Sequence, residues 1–171
     1  LGIVVLTNQQ SGAAFTAITN TIKDSYLDIP YTNYVEIYSK REKDNITEAD
    51  KTTSEVWATI ANNLKEKKKI DLKNYAGVFV DNWFGKIELS EKKGKLFFKS
   101  VRSPQLAGEV FFYKDTTFVV KWNTRSFNAD AFLLFEMDEN GKSNGLKMKP
   151  ISDLTDFSYD FQDLDFVRVK E

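Results

Sequence analysis

From Leu72 to the end of the chain, apolar and polar residues alternate with a period of two, interrupted by short turn-forming clusters. The alternation predicts eight strands, over 72–80, 85–90, 95–101, 106–113, 117–122, 131–138, 145–151 and 157–169. It is clearest at Leu146, Met148 and Pro150 against Lys147 and Lys149. Asp81-Asn82, Lys93-Gly94, Lys114-Asp115 and Glu139-Asn140-Gly141 supply turns, and Asn140-Gly141 is the strongest hairpin signal among them. Eight short strands with short connections predict an up-and-down antiparallel meander. Closing it into a barrel removes the edge strands it would otherwise expose. In the last stretch, TDFSYDFQDLDFVRV, Phe157, Tyr159 and Phe161 alternate with Ser158 and Asp160, and this stretch is expected to be the closing strand.

The first seventy residues carry other periods. Leu1–Leu6 is a short β-branched apolar run, expected to form a strand buried on both faces. Phe15, Ile18, Ile22 and Tyr26 recur at helical spacing after Ser11, a suitable N-cap, and Asp28 and Pro30 end the pattern. A second helix is expected over 31–45, with Tyr34, Val35 and Tyr38 on one face. A third is expected over 47–69, striped by Val56, Trp57, Ile60, Ala61 and Leu64. Acidic residues early in the third helix and Lys65, Lys67, Lys68 and Lys69 late complement the helix dipole. A strand followed by one helix is an incomplete layer. Leu1–Leu6 is therefore expected to pair with a second copy of the chain, to pack on the helices, or to be poorly ordered.

Composition narrows the chemistry. Of 171 residues, 42% are hydrophobic and 14% aromatic, which suits a packed, strand-rich core. A net charge of −1 gives no electrostatic basis for binding nucleic acid. No apolar run approaches the length of a membrane-spanning helix, so no membrane partner is expected. The chain has no His and no Cys. Triads built on histidine are impossible, thiolate chemistry is absent, and neither a cofactor nor a metal is called for. The opening LGIVVLTNQQ lacks both a basic leader and an initiator methionine, and is expected to be an internal piece of a longer protein.

Several segments carry a family resemblance. Tyr75-Ala76-Gly77-Val78-Phe79, Trp83-Phe84-Gly85-Lys86-Ile87, Gly94-Lys95-Leu96-Phe97-Phe98 and Thr117-Phe118-Val119-Val120-Lys121-Trp122, with the closing 155–169, resemble one known domain. It is the C-terminal lipocalin-like domain of unknown function attached to serine β-lactamase-like, penicillin-binding-protein-related hydrolases. Residues 1–30, with LTNQQSG, are similar to the last strand and helix of the catalytic domain in the same proteins. The resemblance implies three segments: 1–30 from a serine hydrolase domain, 31–70 a helical linker, and 71–171 a lipocalin-like barrel. The whole would be mainly β, an eight-stranded antiparallel up-and-down barrel preceded by a strand and about three helices. It implies an upstream hydrolase domain in the same polypeptide as partner, and a bacterial, commonly exported parent; it leaves a homo-oligomer open. The family's Ser-x-x-Lys and Tyr-x-Asn motifs would lie upstream of Leu1. Ser90-Glu91-Lys92-Lys93 and Tyr31-Thr32-Asn33 copy them literally, but Ser90 is expected at a strand end and Lys93 in a hairpin turn. Two functions follow as expectations: a non-catalytic accessory domain shaping substrate access or assembly, or a module holding a small apolar or amphipathic ligand.

Trp83, Arg102, Trp122, Arg125 and Asp130 are the candidate ligand-binding residues. An arginine beside a tryptophan at a barrel mouth can receive a carboxylate. The same residues also fit a plainer role, with Trp122 as core and the arginines as surface ion pairs. Asp156, Asp160, Asp163 and Asp165 alternate with aromatic residues and are expected on the solvent face of a strand rather than around a cation.

Overall fold

The computed structural model describes residues 1–8 and 12–169, apart from the side chain of Phe157. Helices α1 (Gly12–Tyr26) and α2 (Tyr34–Lys65) precede eight strands. These are β1 (Gly77–Asp81), β2 (Gly85–Lys92), β3 (Lys95–Ser100), β4 (Ala107–Lys114), β5 (Thr117–Trp122), β6 (Ala131–Met137), β7 (Ser143–Pro150) and β8 (Asp165–Arg168). Each pairs antiparallel with its sequence neighbour, and β8 returns to β1, so the sheet closes. The chain is mainly β, as its period-two pattern predicts.

Alternate residues point inward and fill the barrel. Phe79, Phe98, Phe118, Leu133, Leu146 and Phe166 are each at most 1% exposed. Near one end, Tyr75 lies against Phe118 and Phe135, with ring centres 4.5 and 5.0 Å apart. Near the other, Phe98 meets Trp122 edge-on at 5.2 Å, and Trp122 stacks on Phe161 at 6.3 Å. Eight strands leave room for side chains or for one small ligand; here side chains take it. At Gly108 β4 and β5 approach so closely that a Cβ would strike the backbone carbonyl of Lys121.

β5 is buried on both faces. Outside, Phe111, Val119 and Phe132 form a cross-strand row over β4, β5 and β6. Val56 and Ile60 of α2, together with Ile151, cover it, and Trp57 meets Phe111 edge-on at 5.7 Å. Burying an aliphatic side chain in this way contributes about 2 kcal/mol. Asn63 Nδ2 donates to the carbonyls of Phe112 (3.3 Å) and Tyr113 (2.8 Å), beside the bulge where β4 shifts register. Closure is fastened by Arg168. Its guanidinium donates to the carbonyls of Ala76, Asn74 and Ser143 and lies 4.7 Å from the Phe79 ring.

The chain divides into two compact units, Leu1–Asp50 and Lys51–Glu171, and the division falls within α2. The second half of α2 thus belongs with the barrel. In the first unit, Asn33 caps α2: its Oδ1 accepts from Glu36 N (3.2 Å) and its amide donates to the Glu36 carboxylate (3.1 Å). Tyr34 donates to Asp24 (2.7 Å) and Asn20 to Tyr38 (2.9 Å), which ties α1 to α2.

Four expectations are corrected. Residues 1–7 form no strand, and Leu1, Val4 and Leu6 are exposed; strand geometry needs a paired edge, and none is present among the described residues. Two helices replace the three expected, because α2 runs unbroken through Asn45-Ile46-Thr47. Those residues are weak helix formers, each costing roughly 0.5 kcal/mol or more relative to Ala, but none removes a backbone donor as Pro does. Thr47 Oγ1 also bonds back to the Lys43 carbonyl. Residues 72–74 form a 3-10 turn capped by Asp71, and β1 begins only at Gly77. The closing stretch is two 3-10 turns, Phe157–Tyr159 and Phe161–Asp163, and a strand of four residues. Asp156 accepts from Ser158 N (2.8 Å), and Asp160 takes the left-handed conformation (φ 48°). Aspartate at each turn start offers the backbone a local partner that competes with the ladder. Ser11, the expected cap of α1, lies outside the described residues.

Candidate functional site

In a meander, the β1–β2, β3–β4, β5–β6 and β7–β8 connections share one end of the barrel. All five candidate residues lie on or beside these connections, and the structure divides them into two groups.

Trp122, Arg125 and Asp130 form a closed network. Trp122 is 1% exposed and its indole N–H donates to the Ala129 carbonyl at 2.6 Å. Arg125 grips Asp130 with two N–H groups, at 2.7 and 3.0 Å, and also donates to the Trp122 carbonyl at 3.0 Å. Asp130 in turn accepts from Trp122 N at 3.2 Å. The hydrogen bond to Asp130 holds the Arg125 guanidinium above its ordinary pKa. This group shapes the β5–β6 connection and spends its polar atoms on itself.

Trp83 and Arg102 form the other group, on the walls of a cleft of about 450 Å³. Trp83-Phe84 from the β1–β2 turn, Arg102-Ser103 with Leu106 from β3–β4, and Ser158-Tyr159 from β7–β8 line it. Arg102 Nη1 donates to the Trp83 carbonyl at 2.7 Å. Trp83 is 59% exposed. Ser100, fully buried, accepts from Ser103 N at 3.1 Å and fixes the Arg102 turn. Phe84 rests edge-on against Phe166 at 5.7 Å, and Tyr159 leans on Phe161 at 5.3 Å. The Tyr159 hydroxyl is pushed above its usual pKa by burial and, secondarily, by the charge of Asp156.

Asp81, which the sequence shows only as a turn former, is the anchor of this cleft. One carboxylate oxygen accepts from Trp83 N (2.8 Å) and Phe84 N (2.7 Å), and the other from Asp165 N (3.0 Å). It therefore clamps two of the three walls together. Burial, the largest single effect, opposes its charge, but the three N–H donors together outweigh it and hold Asp81 below the usual carboxylate range. The sequence marks the turn, which Gly85 closes at φ 86° four residues after Asp81, but not the carboxylate's reach to Asp165.

The literal copies of hydrolase motifs lack the required geometry. Ser90 is in β2 and Lys93 sits at φ 54° in a hairpin turn, whereas Ser-x-x-Lys chemistry needs a helical turn. Tyr31-Thr32-Asn33 leads into the cap of α2.

A closed eight-stranded antiparallel barrel with a filled interior and a clamped cleft at one end defines the class of this domain. The chain belongs to the family described as a domain of unknown function (DUF3471), which matches residues 61–168. The match opens inside α2, in the part that packs with the barrel. Comparison with curated proteins and with solved structures gives no match.

Proposed function

We propose that this chain is the non-catalytic accessory region of a β-lactamase-related serine hydrolase, and that its lipocalin-like barrel shapes substrate access or assembly. The observation that carries this reading is the filled interior, packed by aromatic contacts of Tyr75 with Phe118 near one end and of Trp122 with Phe161 near the other. A barrel without room inside offers other molecules only its surface, and the Asp81-clamped loop end is a pre-shaped part of that surface. The chain's lack of His and Cys supports a role other than catalysis. The same filling counts against a ligand held within the barrel.

Hydrolysis by the longer polypeptide that contains this chain, with and without residues 51–171, tests the reading. Turnover of small esters is expected to survive the deletion, while selectivity between small and large substrates changes. Equal loss on every substrate, or a polypeptide with no hydrolase domain, would overturn it.

A further inference from the structure

We propose that the cleft between Trp83, Arg102 and Tyr159 is a recognition site for a single carboxylate borne on an aromatic or branched apolar group. This goes beyond the accessory role and does not depend on it.

The barrel unit has three arginines, and their surroundings differ. Arg125 is paired bidentately with Asp130, and Arg168 points its N–H groups at the carbonyls of Asn74, Ala76 and Ser143. Arg102 commits one nitrogen to the Trp83 carbonyl, and among the described residues no carboxylate lies within ion-pair distance of it. Its guanidinium is exposed at the cleft wall and presents the planar fork that matches a carboxylate.

The apolar half of the site lies alongside. Trp83 is the one tryptophan of three that stands mostly in solvent, since Trp122 is core and Trp57 is half-buried on α2. Its ring, with Phe84 and Tyr159, supplies flat apolar wall of the kind that orients small ligands. The site is also pre-organised: Asp81 clamps the Trp83 turn to the start of β8, and Ser100 fixes the turn bearing Arg102. A rigid site loses less on binding than one that must order itself. Its volume, about 450 Å³, lies within the usual range for small-ligand clefts.

Charge selects a monoanion. Among the described residues Arg102 is the single cation lining the cleft, and Asp156 lies close enough to act on the Tyr159 hydroxyl. A phosphate dianion ordinarily draws several cations or a nest of backbone N–H groups. The carboxylate can belong to a free acid or to the C-terminus of a peptide.

The test uses the full chain labelled with 15N, whose three indole N–H signals are followed as N-acetylphenylalanine is added. The Trp83 signal is expected to move saturably, while that of Trp122, bonded to Ala129, stays in place. The carboxamide analogue should bind about fivefold more weakly or worse, and Arg102→Gln should cause a loss of the same order. Unmoved Trp57 and Trp122 signals in the variant report an intact fold. A tetrapeptide ending in phenylalanine that binds more tightly than the free acid would identify the carboxylate as a chain end; equal binding would identify a free acid. No saturable movement of Trp83, an amide as good as the acid, or unchanged binding by Arg102→Gln would each overturn the proposal.

Discussion

At the scale of single residues, one buried carboxylate organises the loop end. Asp81 is only 8% exposed and accepts three backbone N–H bonds, from Trp83, Phe84 and Asp165. Asp81→Asn keeps one acceptor but turns an NH2 toward a donor, and is expected to cost about 1–3 kcal/mol in urea unfolding at pH 7. The pH dependence has a definite sign. The folded pKa lies below the unfolded value of about 3.9, so the unfolded chain binds the proton more readily. The carboxylate's contribution is full above the unfolded pKa and drains away as pH falls through the folded one. The stability gap between wild type and Asp81→Asn should thus narrow below about pH 4; a gap that stays constant into acid would show that the charge is not what matters. That Asp81 escapes sequence reading is instructive. Asp-Asn before a glycine reads correctly as a turn, but nothing local shows that the second oxygen reaches a segment 84 residues away. The placement of Arg102 and Trp83 in two connections is legible, because Asp81-Asn82 and Ser103-Pro104 beside them are turn formers.

At the scale of elements, legibility follows how many constraints act together. β2 to β7 are readable within about two residues at each end because alternation, turn chemistry and pairing all agree. Where local bonding competes with the ladder, the pattern misleads: aromatics alternating with aspartates over 156–163 make 3-10 turns whose Phe161 packs on Trp122. The fused helix α2 is hidden for the converse reason, since a dip in propensity at Asn45-Ile46-Thr47 does not make a break. Its second half has a tertiary purpose that periodicity alone does not reveal, namely roofing Val119 on the outer face of β5. Ile60, 2% exposed in that roof, gives the corresponding prediction. Ile60→Ala should destabilise residues 51–171 by about 2–5 kcal/mol in chemical denaturation. A loss below about 0.5 kcal/mol would mean that α2 merely rests on the barrel.

At the scale of the whole molecule, the question is whether the barrel is a container or a solid. The largest interior side chain, Trp122, touches Phe98 on one side and Phe161 on the other. Phe161 comes from the β7–β8 connection, so the same indole that fills the barrel also seats the segment bearing Tyr159 at the cleft. Interior packing and surface site are therefore mechanically joined through one side chain. If the barrel is solid, indole added to residues 51–171 finds no place inside and leaves the melting temperature unchanged. Trp122→Ala should lower stability by about 3–5 kcal/mol and open an apolar hole, which added indole then partly refills with a saturable rise in melting temperature. Saturable binding of indole by the unaltered barrel, with shifts in the amide signals of Phe118 and Leu133, would show that the interior yields to a ligand. The container would then replace the solid accessory barrel as the better account of what this fold is for.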